Sequence, residues 1–417
     1  MGAFCYYSSV HVVCRDKMLS GTREEVFMYH YQSTMDSLIN QYISDGEIVG
    51  ASLLVLKDGE EKYKKVYGEA DKENHIPMES DTIFHLYSMS KPVTAVAVMI
   101  LFERGELDVR DAVSKYLPCF KNQTVWTDAG EVPANRDITI WDCLNMTTGI
   151  PYPCEELESG RRMDTVFREL IRRREEGEYV DTMEWMRCVA EVPLVFQPGE
   201  KWLYGFSADI LGAVVEAVSG KKFGQFLKEE IFEPLGMKDT GFYVPEEKWN
   251  RFAPAYENWS TGSLVPLRHS HLGEYYKSDV AFESGGAGMV STITDYAKFA
   301  QMLLNKGKLG DVRILGRKTV EFMAQNHLTE AQKVDYIWDS TRGYGYGCLM
   351  RCLENLGVAG TNGSVGEFGW DGWTGNYVTI NPEENMVLLF FIQRCGYGFG
   401  DLTRKVRALT YGALGEL

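Results

Sequence analysis

Ser88 and Lys91 stand three residues apart, and from Lys91-Pro92-Val93 the chain stays apolar to Phe102. Proline is tolerated in the first turn of a helix, where its missing N–H has no partner to lose. Pro92 therefore predicts a helix beginning at about Met89 with Ser88 at its cap, and places Lys91 one turn on, on the same face. A lysine buried at the positive end of a helix binds its proton less tightly. A neutral Lys91 amine can accept the Ser88 proton and turn the hydroxyl into a nucleophile. Backbone N–H groups at the cap point toward an oxyanion formed on attack. Ser90 is the rival nucleophile, but it falls inside the helix and off the Ser–Lys face. A serine and a lysine at this spacing recur by chance about once in a few hundred residues, so the pair needs company.

Two more stretches supply it. From Gln197 to Gly212 a turn feeds a short extended piece and then a helix from about Ser207, with Tyr204 just before its start. A phenol beside a lysine ammonium is expected to have a depressed pKa and to shuttle protons. The plain alternative is a buried, satisfied tyrosine, which most of the 23 tyrosines must be. From Gly369 to Asn376 a glycine-rich segment opens a strand at Tyr377–Ile380. Glycines there let a ligand approach the backbone, whose N–H groups can complete an oxyanion hole; a simple loop is the alternative. The run Ser284–Thr292 lacks the lysine and spacing of a phosphate loop. It predicts close backbone packing ahead of a helix capped by Ser291 or Thr292.

The elements that must position these residues divide along the chain. Tyr29–Ile43 has helical spacing. Val49–Leu56 and Lys62–Tyr67 read as strands joined at Asp58-Gly59, a turn that tolerates positive φ. Gly345–Met350, Tyr377–Ile380 and Met386–Gln393 read as strands, with a turn over 381–385, and a last helix spans about Leu402–Leu414. Between Ser88 and Gln325 helical patterns dominate, among them Val93–Glu103, Ile138–Asn145, Ala208–Val218, Phe223–Ile231, Ile293–Leu304 and Val320–Gln325. Strands at both ends with helices between predict an α+β fold with one sheet built from the two termini.

Composition excludes several classes. With 45% hydrophobic and 12% aromatic residues the chain can bury a large core. A net charge of -16 argues against nucleic acid and against an anionic membrane face. Nine irregularly spaced cysteines do not form a disulfide framework and point to a reducing compartment. Cys348 and Cys352 are four apart, but no second pair or nearby histidine completes a site, so neither metal nor cofactor is expected. No apolar run reaches the ~18 residues of a spanning helix. The start of the chain makes a poor signal peptide, Met18 is a candidate true start, and a cytoplasmic location is the expectation.

Taken together, Ser88-x-x-Lys91, the Pro-Gly element ending in Tyr204 and the glycine-rich strand near the end resemble the serine β-lactamase and penicillin-binding-protein superfamily. Ile138–Ile150, Phe232–Met237 and Gly285–Thr292 resemble further stretches of that family, and the likeness covers about residues 30 to 415. It implies a β-lactamase/transpeptidase-like fold over 23–417. The α/β part would take about 23–85 and 285–417, the helical part about 86–284, and 1–22 would be a disordered or extra segment. It implies Ser88, Lys91 and Tyr204 as catalytic residues, with the Ser88 and Trp373 backbone N–H groups as the oxyanion hole.

The departures from the family pattern bear on substrate. The Tyr-x-Asn of class C β-lactamases is replaced by Tyr204-Gly205-Phe206. The Lys-Thr-Gly of lactamases and carboxypeptidases is replaced by Trp370-Asp371-Gly372, close to the Trp-Gly-Gly of the family's carboxylesterases and transesterases. A substrate carboxylate thus loses its counter-charge and meets Asp371, while Trp370, Trp373 and Phe206 form an apolar wall, with Gly372 beside them. The implied enzyme is a carboxylesterase acting on small esters; a β-lactamase, a D-amino-acid peptidase and a non-catalytic acyl or peptide sensor are the alternatives. No Gly-x-Ser-x-Gly elbow supports an α/β-hydrolase.

Overall fold

The computed structural model describes residues 10–14, 17–21, 23–267, 281–336 and 338–414. The most apolar strand, Met386–Ile392, is buried at all seven positions, which requires cover on both faces. It lies inside an eight-stranded sheet whose order is Tyr344–Gly347, Met350–Leu353, Phe368–Asp371, Tyr377–Asn381, Met386–Ile392, Gly50–Lys57, Glu60–Asp71, Ile76–Pro77. Neighbours are antiparallel throughout. The first and last parts of the chain therefore share one sheet, and its seam is the pairing of Leu388 with Val55 and Phe390 with Leu53.

Strand side chains alternate between faces, and the core divides accordingly. Leu53, Val55, Leu388 and Phe390 pack with Met35, Ile39, Leu402 and Val406 of the helices Arg23–Ser44 and Asp401–Gly412. Leu54, Leu389 and Phe391 face the other way, onto the large core that holds the helices Ile293–Leu304 and Ser90–Glu103. Ser90 through Leu101 are buried without a break. A helix that is apolar all round belongs in the interior, and this one carries the serine–lysine stretch there.

The structure departs from the sequence reading in four places. Gly345–Met350 is not one strand: Cys348 and Leu349 both take positive φ (47° and 63°) and make a two-residue hairpin turn. Asp58 and Gly59 do the same between the first two strands, with the twist such turns share with paired strands. Phe223–Ile231 is an α-helical turn to Leu227 followed by a π-helical one over Lys228–Phe232. Val10–Cys14 and Lys17–Gly21, within the 1–22 stretch expected to be disordered or extra, pair as a hairpin. The helical part also holds the hairpin Thr124–Thr127/Gly130–Pro133. Among the described residues no helix is long and apolar enough to cross a membrane.

Candidate active site

The short strand Ile83–His85 pairs with Val290–Thr292, and the chain then enters a 3-10 turn, Tyr87–Met89, ahead of the helix Ser90–Glu103. Ser88 thus lies in that turn rather than at the cap expected from Pro92, and the α-helical cap is Met89, one residue further on. Tyr87 has φ 45°, a conformation costly for a bulky residue and usually held by its surroundings at functional sites. The hold is visible. Leu86 N–H donates to Met289 O at 2.9 Å, Met289 N–H to Ser90 Oγ at 3.1 Å, and Tyr296 Oη to Met89 O at 2.8 Å. Ser90, the rival nucleophile, is fully buried and used in this way.

Lys91 is fully buried. Its Nζ donates to Ser88 Oγ at 3.1 Å, Tyr152 Oη at 3.2 Å and Gly286 O at 2.8 Å. Burial brings its pKa down to about 7 against the opposing charges of Asp209 and Asp371. Near neutrality, then, part of the population carries an amine with a free lone pair beside the Ser88 hydroxyl.

Tyr204 precedes the helix Ser207–Ser219, as expected, and its hydroxyl hydrogen-bonds with Ser88 and accepts from Trp370 Nε1 at 3.1 Å. The expected depression of its pKa is overturned. Burial pushes it upward and outweighs the lowering by Ser88 and Trp370. Tyr204 therefore holds its proton as a neutral phenol. Lys91 Nζ sits over its ring at 4.6 Å.

Tyr152, Asp209 and Gly286 carry no role in the sequence reading, yet all lie at the centre. Pro151 and Gly205 form a β-bridge, so the Gly149–Tyr152 segment runs beside Tyr204 and brings the two tyrosine rings to 5.9 Å. A Cβ on Gly205 would lie 2.0 Å from Ile150 O; only glycine permits this approach. Fully buried Asp209 accepts from Ser284 Oγ and from Gly286 N at 3.2 Å, and burial raises its pKa. This fixes the loop whose Gly286 carbonyl holds Lys91. The close packing expected for Ser284–Thr292 is present, and Thr292 is its helix cap. The usable signal was Asp209 itself, an acid at an otherwise apolar helix start.

Phe368–Asp371 is a strand of its own, paired with Tyr377–Asn381. A Cβ on Gly372 would lie 2.5 Å from Leu86 O, so the connection beginning there runs against the Tyr87–Met89 turn. Asn376 Nδ2 ties it down by donating to His85 O at 2.6 Å. The Trp373 ring meets Tyr87 edge-on at 5.3 Å. Among the described residues neither the Ser88 nor the Trp373 backbone N–H has a hydrogen-bond partner.

Three expected substrate residues are otherwise engaged. Phe206 is 2% exposed and packs among Phe167, Trp185 and Phe282, so it belongs to the core rather than to an open wall. Trp370, also 2% exposed, spends its N–H on Tyr204. Asp371 forms an ion pair with buried Arg351, so its charge is balanced, not bare.

Ser88, Lys91 and Tyr204 meet where the two-termini sheet joins the helical part, and this architecture defines a β-lactamase/transpeptidase-like protein of the serine hydrolase superfamily. Residues 35–411 match the Beta-lactamase family, and the chain belongs to it. It is 30% identical over 396 residues to the esterase EstB of Burkholderia gladioli, covering 90% of this chain and 94% of that one. Protein Rv1367c of Mycobacterium tuberculosis is 30% identical over 367 residues, with 86% and 88% covered. Among solved structures, EstCE1, a hydrolase with promiscuous acyltransferase activity, superposes with a TM-score of 0.78 at 26% identity, covering 93% of this chain and all of that one. Simvastatin synthase LovD of Aspergillus terreus shares the fold, with a TM-score of 0.75 at 23% identity over 92% and 98% of the chains.

Proposed function

We propose that this protein is a carboxylesterase that acts on small esters through an acyl-enzyme on Ser88. The carrying observation is the 3.1 Å contact between Ser88 Oγ and a fully buried Lys91 whose pKa lies near 7. Neutral Lys91 takes the hydroxyl proton as Ser88 Oγ bonds to the acyl carbon. The carbonyl oxygen becomes an oxyanion, received by the Ser88 and Trp373 N–H groups. The C–O bond to the alcohol then breaks, and the phenol of Tyr204 gives its proton to the departing alkoxide and is recharged from Lys91. Water repeats the sequence on the acyl-enzyme, releasing the acid and restoring Ser88.

Esters are favoured over β-lactams and carboxylate-bearing peptides because the triplet at the Lys-Thr-Gly position offers no cation. Trp370 is buried, and Arg351 beside Asp371 is bound to that carboxylate. Losing a charge-assisted hydrogen bond costs about 1.5–3 kcal/mol, and about 1.4 kcal/mol is tenfold in rate. The relatedness to an esterase over most of the chain supports the same reading. The test compares kcat/KM for p-nitrophenyl butyrate and nitrocefin, with intact-mass detection of an acyl adduct that Ser88→Ala lacks. A larger value for nitrocefin, or an adduct that persists in Ser88→Ala, overturns it.

A further inference from the structure

The rings around Tyr204 are not equally placed. Trp202 and Trp370 are buried and Tyr152 is half-buried, whereas Trp338 is 42% exposed while its ring meets Tyr204 edge-on at 5.0 Å and Trp202 at 5.3 Å. A large ring left in water at a catalytic centre is not explained by core packing.

Nor is Trp338 a loosely hung surface residue. Thr341, 1% exposed, donates to Trp338 O twice, from its N–H at 2.9 Å and its Oγ1 at 2.8 Å. On the other side Tyr336 is buried against Trp202 at 4.7 Å. The preceding helical turn is fastened by Gln332 Nε2, which donates to Gly199 O at 2.7 Å. Anchors on both sides set the ring in place before any ligand arrives, which spares the entropy of ordering it.

We propose that Trp338 is a specificity-determining residue that forms the subsite for the alcohol half of the ester and selects aryl and other bulky apolar alcohols. The inference rests on the esterase reading above. Tyr204 gives its proton to the departing oxygen, so that oxygen stands at the Tyr204 hydroxyl. The alcohol's carbon skeleton extends from there, and among the described residues Trp338 is the exposed ring that meets the Tyr204 ring. In the proposed mechanism the carbonyl oxygen is received by the Ser88 and Trp373 N–H groups, and the Trp373 ring packs on Tyr87 and Trp259, apart from the Trp338 contact with Tyr204. Trp338 therefore reads the alcohol and not the acid.

The test uses Trp338→Ala and Trp338→Phe with two ester series, acetates of methanol and 1-naphthol, and 1-naphthyl esters of acetic and hexanoic acid. Each variant is scored by ratios of kcat/KM: a disturbance passed through Tyr204 cancels in the hexanoate-to-acetate ratio, and it raises the naphthyl-to-methyl ratio, because methoxide depends on the Tyr204 proton more than naphtholate does. For Trp338→Ala the naphthyl-to-methyl acetate ratio is expected to fall about tenfold, the size of a lost aromatic contact plus its buried area. The hexanoate-to-acetate ratio stays at the wild-type value, and Trp338→Phe recovers most of the first ratio. A naphthyl-to-methyl ratio that stays unchanged or rises overturns the proposal, because Trp338 would then act only by packing on Tyr204. A fall confined to the hexanoate-to-acetate ratio overturns it in favour of an acyl subsite. If the wild-type protein cleaves none of these esters, the esterase reading itself fails and takes this inference with it.

Discussion

The Trp370 indole N–H donates to the hydroxyl of Tyr204 at 3.1 Å, and this bond joins an inner strand of the sheet to the helical part of the fold across the candidate site. It occupies one acceptor lone pair of the phenol and so limits the directions its O–H can take. Trp370→Phe keeps the ring stack on Tyr204 and removes only the donor. Steady-state kinetics should show kcat reduced by up to about tenfold, the rate equivalent of a net hydrogen bond of about 0.5–1.5 kcal/mol. The melting temperature should move little, and an unchanged kcat would show that the bond does not orient the phenol.

In the proposed mechanism the pKa of Lys91 sets the pH dependence of acylation. With a value lowered to about 7, the neutral amine accumulates as pH rises. The pre-steady-state acylation rate should climb below pH 7 and level off above it. Because Lys91, Tyr152 and Asp209 interact, the limb reports their joint titration. Lys91→Arg, always charged, should be inactive across the whole range.

The same shift has a consequence for stability. The folded-state value lies below the ordinary lysine value, so the cost of burying the ammonium is present in full below pH 7. That cost disappears as pH rises toward 10.5, where the unfolded chain also loses the proton. Lys91→Met removes the cost. Its gain in melting temperature over wild type should be larger at pH 6 than at pH 9, and a gain that grows with pH would contradict the assignment.

Gly205 tests the close approach of two segments. A Cβ there would lie 2.0 Å from Ile150 O, so Gly205→Ala must push the Tyr152 and Tyr204 segments apart. Overpacking of this kind costs about 1–3 kcal/mol. Denaturant unfolding should show the loss, together with a fall in kcat that Gly262→Ala, at an open position on the surface, does not produce.

Asp371 tests the buried charge. Asp371→Asn leaves the Arg351 guanidinium, 3% exposed, without its counter-charge; breaking such a pair costs about 3–5 kcal/mol. Urea unfolding should register it, and Arg351→Met added to Asp371→Asn should restore most of the stability. For the same reason a change of the triplet toward Lys-Thr-Gly succeeds only if Arg351 is replaced with it.

Much of this was open to the sequence because the signals were local. Pro92 and the apolar run behind it specify a helix start, so the Ser88–Lys91 spacing could be read as geometry. Asp58-Gly59 marks its turn by backbone chemistry alone. The all-apolar strand Met386–Ile392 and the alternating runs near the start of the chain were enough to predict one sheet from both termini. What the sequence could not rank was burial. Tyr204 and Phe206 look alike as aromatic residues beside a motif, but Phe206 is enclosed by Phe167, Trp185 and Phe282 from three other segments. Desolvation likewise decides the protonation of Tyr204, which a nearby lysine alone had suggested would go the other way. Tyr152, Asp209 and the Gly286 carbonyl lie 61, 118 and 195 residues from Lys91 along the chain, and Trp338 lies 134 from Tyr204. No short-range pattern links positions so far apart. Sequence determined the helix start behind Ser88 and the central strands of the sheet. Only tertiary packing, which sets the local dielectric and brings distant backbones into contact, decided which groups share the site and which of them are charged.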